Sequence, residues 1–164
     1  MLDTTDPADG LRTAMRLSAQ PVSVVTAQAD GVARGLTVSS FTSLSLEPPL
    51  LSFALNNETL FLPVVRESGR FALHILGARQ EAVAIRFALP GQTPAEQFEG
   101  VEATLDNDGT PALPHFLSRI AGTVDRVVEV GDHTLVICRV ESVVLTDVGE
   151  EPLLYFDRAF RQLA

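Results

Sequence analysis

The stretch "VSVVTAQADGVARGLTVSSFTSLSLEPPLLSFAL", residues 22–55, decides the fold. It opens as a strand through Val22, Val24 and Val25, turns at Asp30-Gly31, and returns through Leu36 and Val38 toward Phe41, which is the pattern of a β-hairpin. Ser/Thr and apolar residues then alternate from Thr42 to Leu46, Pro48-Pro49 interrupts, and "LLSFAL" makes the next strand over 50–55. Thr37, Ser39, Ser40, Thr42, Ser43 and Ser45 put six hydroxyls within nine residues. Two readings stand side by side. The hydroxyls line the solvated face of an edge strand, or they form a polar cradle for an anionic tail beside an apolar slot for a flat ring.

Outward from this stretch, residues 8–18 have the spacing of a short amphipathic helix that Pro21 ends. "ETLFLPVVRESG" reads as a helix with Thr59 as N-cap, Pro63 in the first turn and Gly69 as its stop. A strand at 70–76, a helix over 78–88 and a Pro/Gly loop at 90–100 with a helical turn near Ala95–Phe98 follow. Strands are expected at 101–105, 119–129, 133–145 and 152–156. The expected class is mainly β: an antiparallel barrel with two or three short helices packed on it, in a single domain over 1–164 whose residues 1–10 form a flexible tail. Strands and helices do not alternate, which argues against a doubly wound nucleotide fold.

A net charge of −9 speaks against nucleic acid or an anionic membrane as partner. All 12 basic residues are arginine, so neither a Schiff-base lysine nor a P-loop lysine is available. The single cysteine, Cys138, cannot form an internal disulfide and suits a reducing cytoplasm. The acidic N-terminus lacks a signal core, and no apolar run reaches the roughly 20 residues that span a bilayer.

The usual catalytic constellations do not emerge. His74, His115 and His133 lack metal-ligand spacing, and no GxSxG elbow or GxGxxG turn occurs. His74 reads as a core histidine, His115 as a surface residue of a Pro-flanked turn. "DNDG" begins like a calcium loop but lacks the distal glutamate. In "EVGDHTLVICRVESVVL", residues 129–145, a turn precedes a strand rich in Val, Ile and Leu; the turn needs a glycine, yet it also carries His133.

Taken in order, "GLTVSSFTSLSLEPPLLSFAL", "SGRFALHIL", "FEGV", "GDHTLVICRV" and "PLLYF" resemble the flavin reductase-like domain family, over roughly residues 12–160. That resemblance implies a flavin-binding split β-barrel, antiparallel and Greek-key-like, usually a homodimer. It implies FMN or FAD held by Thr37, Val38, Ser39, Ser40 and Phe41, with Ser52, Phe53, Ala54, Asn56 and Thr59 along the ring and Arg86-Phe87 near the phosphate. It implies a nicotinamide site at Gly131, Asp132 and His133, taking NADH or NADPH. Family members often carry Asn where His74 stands, a departure expected close to the ring, and Gly where Cys138 stands. The resemblance implies hydride transfer from nicotinamide C4 to flavin N5, in which the cofactors would carry the chemistry and the chain would need only to stack two rings. No acid–base residue is therefore assigned, and no metal. The implied function is an NAD(P)H:flavin oxidoreductase supplying reduced flavin to a partner monooxygenase. A non-catalytic flavin-binding electron carrier or flavin-storage protein of the same fold is the alternative.

Overall fold

The computed structural model describes residues 6–146 and 149–163. The elements, in chain order, are α1 (Pro7–Arg16), β1 (Gln20–Pro21), β2 (Ser23–Ala29), β3 (Val32–Val38), β4 (Thr42–Leu46), β5 (Pro49–Asn56), α2 (Phe61–Ser68), β6 (Arg70–Ile75), α3 (Glu81–Ala88), α4 (Pro94–Phe98), β7 (Thr104–Leu105), β8 (Pro111–Ala112), β9 (Ser118–Val130), β10 (His133–Leu145), β11 (Leu154–Phe156) and β12 (Ala159–Arg161). Seven strands form one antiparallel sheet in the order β3-β2-β6-β9-β10-β5-β4. Its edge strands β3 and β4 do not pair with each other, so the barrel is split rather than closed. Strands β1, β11 and β12 make a small second sheet.

Local chemistry explains the turns. Asp30 and Gly31 both have positive φ, +50° and +75°, as the tight two-residue turn between β2 and β3 demands. Gly69 closes α2 in the left-handed conformation and donates its N–H to Val65.

Several expectations shift. The flexible tail expected over 1–10 falls partly on residues outside the described set, and Pro7–Gly10 form the first turn of α1, because Asp6 accepts the Ala8 N–H and Pro7 suits a first helical position. Helix α2 is capped at Leu60 rather than Thr59, whose hydroxyl accepts the Phe61 N–H at 3.3 Å. Helices number four among the described residues, since the turn near Ala95–Phe98 is a capped helix with a reciprocal Thr93–Glu96 box. The strand expected at 101–105 shrinks to two residues.

The main core packs Phe53, Leu55, Phe61, Val65, Phe71 and Val136 between sheet and α2. His74 belongs to the interior as well. It is fully buried, its Nδ1–H donates to the Val24 carbonyl at 3.2 Å, and its Nε2 accepts the Leu113 N–H at 3.1 Å. Burial pushes its pKa down to about 4, so the ring is a neutral clamp between β2, β6 and the 113 segment. The departure from the family's Asn therefore lies in the core and not at a ring surface. Cys138 is buried too, its thiol pushed up to about 12 by burial and then by Asp125.

Strands β9 and β10 are long and staggered. Strand β6 covers Ser118–Thr123 of β9, and β5 covers His133–Arg139 of β10. The far ends of both strands thus have an open edge, where Val127, Val128, Val130, Val143, Val144 and Leu145 are exposed. Register breaks at Ile137/Cys138 and Val140/Ser142 bend the pair. Gly122 sits opposite the second break, where a Cβ would lie 2.0 Å from the Arg139 carbonyl oxygen.

Candidate functional site

One wall is built where α3 packs on β3. Gly35 permits the approach: a Cβ there would lie 2.5 Å from the Phe87 ring. Phe87 is wholly buried and stacks edge-on against Phe98 at 5.2 Å, so it holds the wall from behind and has no face to offer a ligand. Thr37 donates its hydroxyl to the Ala84 carbonyl of α3 at 2.7 Å. Ser40 bridges to β5, donating to the Ala54 carbonyl at 2.8 Å and accepting the Ala54 N–H at 3.1 Å. Two of the six hydroxyls are thus engaged in the fold. Thr42 and Ser43 lie on edge strand β4, exposed, as the edge-strand reading anticipates. Val38, Ser52 and Phe53 are buried, while Phe41 is half-buried against the main core.

Two cavities open beside this wall. The first, about 320 Å³, joins Thr37 and Ser39 to Ile85, Ala88 and Leu89, with Tyr155 and Phe160 closing it from the C-terminal hairpin. These two aromatics stand edge-on at 5.4 Å. The second, about 300 Å³, joins Asn56 and Thr59 to Arg34, Gln92 and Gln97. Ala88 and Leu89, at the end of α3, line both. Gln97 is buried and pairs its amide with both backbone groups of Gly35, which ties α4 to β3. Arg86, two residues before Ala88, reaches the Glu96 carbonyl at 3.1 Å. Among the described residues, the buried side-chain carbonyl of Gln92 has no hydrogen-bond partner.

The turn between β9 and β10 sits next to the second cavity. Gly131 has φ +59° at the first position of a two-residue loop, and His133 pairs in register with Asn56. Asn57 locks the turn: its N–H donates to the Asp132 carbonyl at 3.0 Å, its amide donates to the Gly131 carbonyl at 3.2 Å, and its amide oxygen accepts the Thr134 hydroxyl at 2.8 Å. The His133 Nδ1–H donates to the Asp132 carboxylate at 2.7 Å, and this bond and charge hold the Asp132 pKa below its ordinary value. That hydrogen bond orients the half-exposed imidazole. His133 lines neither cavity; its link to them is Asn56.

The model of the flavin reductase like domain matches residues 15–164. The chain belongs to that family. It is 35% identical to an NADH:FMN oxidoreductase of Rhodococcus qingshengii, with 95% of this chain and 82% of the relative covered. It is 34% identical to the reductase component of 4-hydroxyphenylacetate 3-monooxygenase of Thermus thermophilus, covering 94% and 96% of the two chains. Among solved structures, the NADH:FAD oxidoreductase of Streptomyces globisporus C-1027, in complex with NAD and FAD fragments, superposes with a TM-score of 0.90 at 29% identity, covering 99% and 98%.

For the flavin reductase fold the donor set is suitable. A phosphorylated, partly apolar flat ligand needs an apolar cleft, hydroxyls and guanidinium groups, and all three meet around the end of α3. The sequence-derived residues fall into three clusters: Thr37 and Ser39, then Asn56 and Thr59, then the Gly131–His133 turn. Arg34, Asn57, Gln97, Tyr155 and Phe160 escape the sequence reading. Only Asn57, beside Asn56, and Tyr155, the sole tyrosine, carried any local signal.

Proposed function

We propose that this protein is an NAD(P)H-dependent flavin reductase that accepts FMN or FAD and passes reduced flavin to a partner monooxygenase. The observation that carries this is the register pair His133–Asn56. It sets an oriented imidazole beside the cavity that Asn56 shares with Thr59, while the end of α3 joins that cavity to the hydroxyls of Thr37 and Ser39. When bound, nicotinamide and flavin supply the hydride donor and acceptor. The chain binds and orients. Asn57 fixes the Gly131–Asp132 turn, Asp132 fixes the imidazole of His133, Ser39 offers a hydroxyl to the flavin from the first cavity, and Arg86, beside the Leu89–Gln92 segment, offers a guanidinium to its phosphate. His133 positions the pyridine nucleotide and moves no proton.

The same reading includes a homodimer. The open apolar ends of β9 and β10 are two patches at opposite ends of the β9–β10 ribbon, and apolar patches of this kind are what a second copy would cover. Cytoplasmic residence fits a buried, unpaired Cys138. The relatives' names support both the acceptor and the role as a monooxygenase component. The test is steady-state oxidation of NADH and NADPH with each of FMN and FAD. Turnover in at least one combination is expected, and none in any combination contradicts the proposal.

A further inference from the structure

The protein is strongly acidic, and among the described residues Arg12, Arg66, Arg70, Arg79, Arg119, Arg126 and Arg139 each stand within 4.0 Å of a carboxylate. Arg16, Arg34, Arg86, Arg158 and Arg161 have no such partner among those residues, and of these five Arg34 and Arg86 flank one short segment, Leu89–Gln92. Each spends Nη1 on a main-chain carbonyl: Arg34 on Gln92 at 2.8 Å and Arg86 on Glu96 at 3.1 Å. A carbonyl oxygen accepts a hydrogen bond but does not neutralise a guanidinium, which keeps further donors in a planar fork. Arg34 is half-buried, and its cavity also holds Asn56 and Thr59. Glu58 lines the same cavity without coming within 4.0 Å of Arg34.

We infer that Arg34 binds a nucleotide phosphate, acting with Arg86 from the other side of the Leu89–Gln92 segment. The inference rests on the flavin reductase reading and adds to it a binding residue on β3. An unpaired guanidinium in a cleft beside a hydroxyl and an amide matches what a phosphate requires: a bidentate cationic donor plus neutral donors for its remaining oxygens. Its place beside Thr59 and near Arg86 suits the flavin's phosphate; the pyridine nucleotide's phosphate has the same chemistry.

The experiment compares FMN with riboflavin, which lacks the phosphate, by quenching of flavin fluorescence on the purified protein and on Arg34→Gln. Arg34→Gln weakens FMN binding about tenfold, as for loss of a charge-assisted hydrogen bond, and leaves riboflavin unchanged. Arg34→Lys keeps the charge but loses the planar fork, so its FMN affinity falls between those of wild type and Arg34→Gln, and unaltered thermal unfolding of both variants shows that the fold is intact. A parallel titration with NADH and reduced nicotinamide riboside separates the sources: a loss confined to NADH also supports the inference and assigns the phosphate to the pyridine nucleotide. Equal weakening of FMN and riboflavin overturns it, because Arg34 would then only hold the loop. So does wild-type affinity for FMN and NADH in the variant. If the wild-type protein binds neither flavin, the flavin reductase reading itself falls, which is a distinct result.

Discussion

His74 makes the stability of this protein depend on pH in a way that can be isolated. Its ring is neutral because burial opposes charge, and its two nitrogens are committed to Val24 and Leu113. The folded pKa is about 4 against an ordinary 6.5 in the unfolded chain. Between these values the unfolded state takes up a proton and the folded state does not, so acidification favours unfolding. The stabilisation is fully present above pH 6.5 and declines as pH falls toward about 4. It then levels off as the folded ring protonates as well. The interval corresponds to about 3 kcal/mol for a group this deeply buried. Denaturant unfolding of wild type and His74→Asn, at steps from about pH 7 to about pH 4, reads it directly. Carboxylates such as Asp108 and Glu150, held low by their arginine and main-chain partners, add acid sensitivity to both proteins and cancel in the difference. The variant starts less stable, since Asn cannot span both partners as the ring does, but its stability falls less on acidification. Parallel pH profiles for the two proteins would falsify the reasoning.

Gly122→Ala should destabilise by more than about 3 kcal/mol in thermal or denaturant unfolding, because the new Cβ meets the Arg139 carbonyl oxygen and not a mobile side chain. Gly35→Ala should cost about 1–3 kcal/mol by pushing Phe87 from its place. It should also weaken flavin binding measured by fluorescence, since Phe87 backs the wall. Cys138 should resist alkylation by iodoacetamide in the native protein at mildly alkaline pH and react only in denaturant, which mass spectrometry will show. Asn57→Ala should raise the KM for NADH by roughly tenfold while leaving the KM for FMN within about twofold, as loss of two side-chain hydrogen bonds to the Gly131–Thr134 segment loosens the turn.

Local chemistry was legible and long-range direction was not. Asp30-Gly31, Gly69 and the glycine of the Gly131 turn announce backbone conformations that the following residues cannot override, and each appears where the sequence puts it. The hydroxyl-rich run was legible as composition only. Whether Thr37 faces a ligand or the Ala84 carbonyl depends on a helix 47 residues away, and Ser40 is claimed by Ala54 on the neighbouring strand. Arg34 looked like any strand arginine until the 89–99 segment folded back onto β3 through Gln97. Tyr155 and Phe160 reach the first cavity because β1 pairs with β11, a contact between the two ends of the chain that no local pattern encodes. His74 was read correctly as an interior residue because it lies within an apolar strand, where burial follows from the neighbours, and Cys138 is buried for the same reason.

The central claim is that a pyridine nucleotide at the Gly131–His133 turn reduces a flavin held around the end of α3. Anaerobic single-turnover mixing of the FMN-loaded protein with increasing NADH tests it most directly, followed by loss of flavin absorbance. Wild type should bleach with a saturable NADH dependence, and His133→Ala should need roughly tenfold more NADH for the same rate while binding FMN as tightly as before. Absence of bleaching in the wild-type protein, or an NADH dependence that His133→Ala leaves unmoved, contradicts the account.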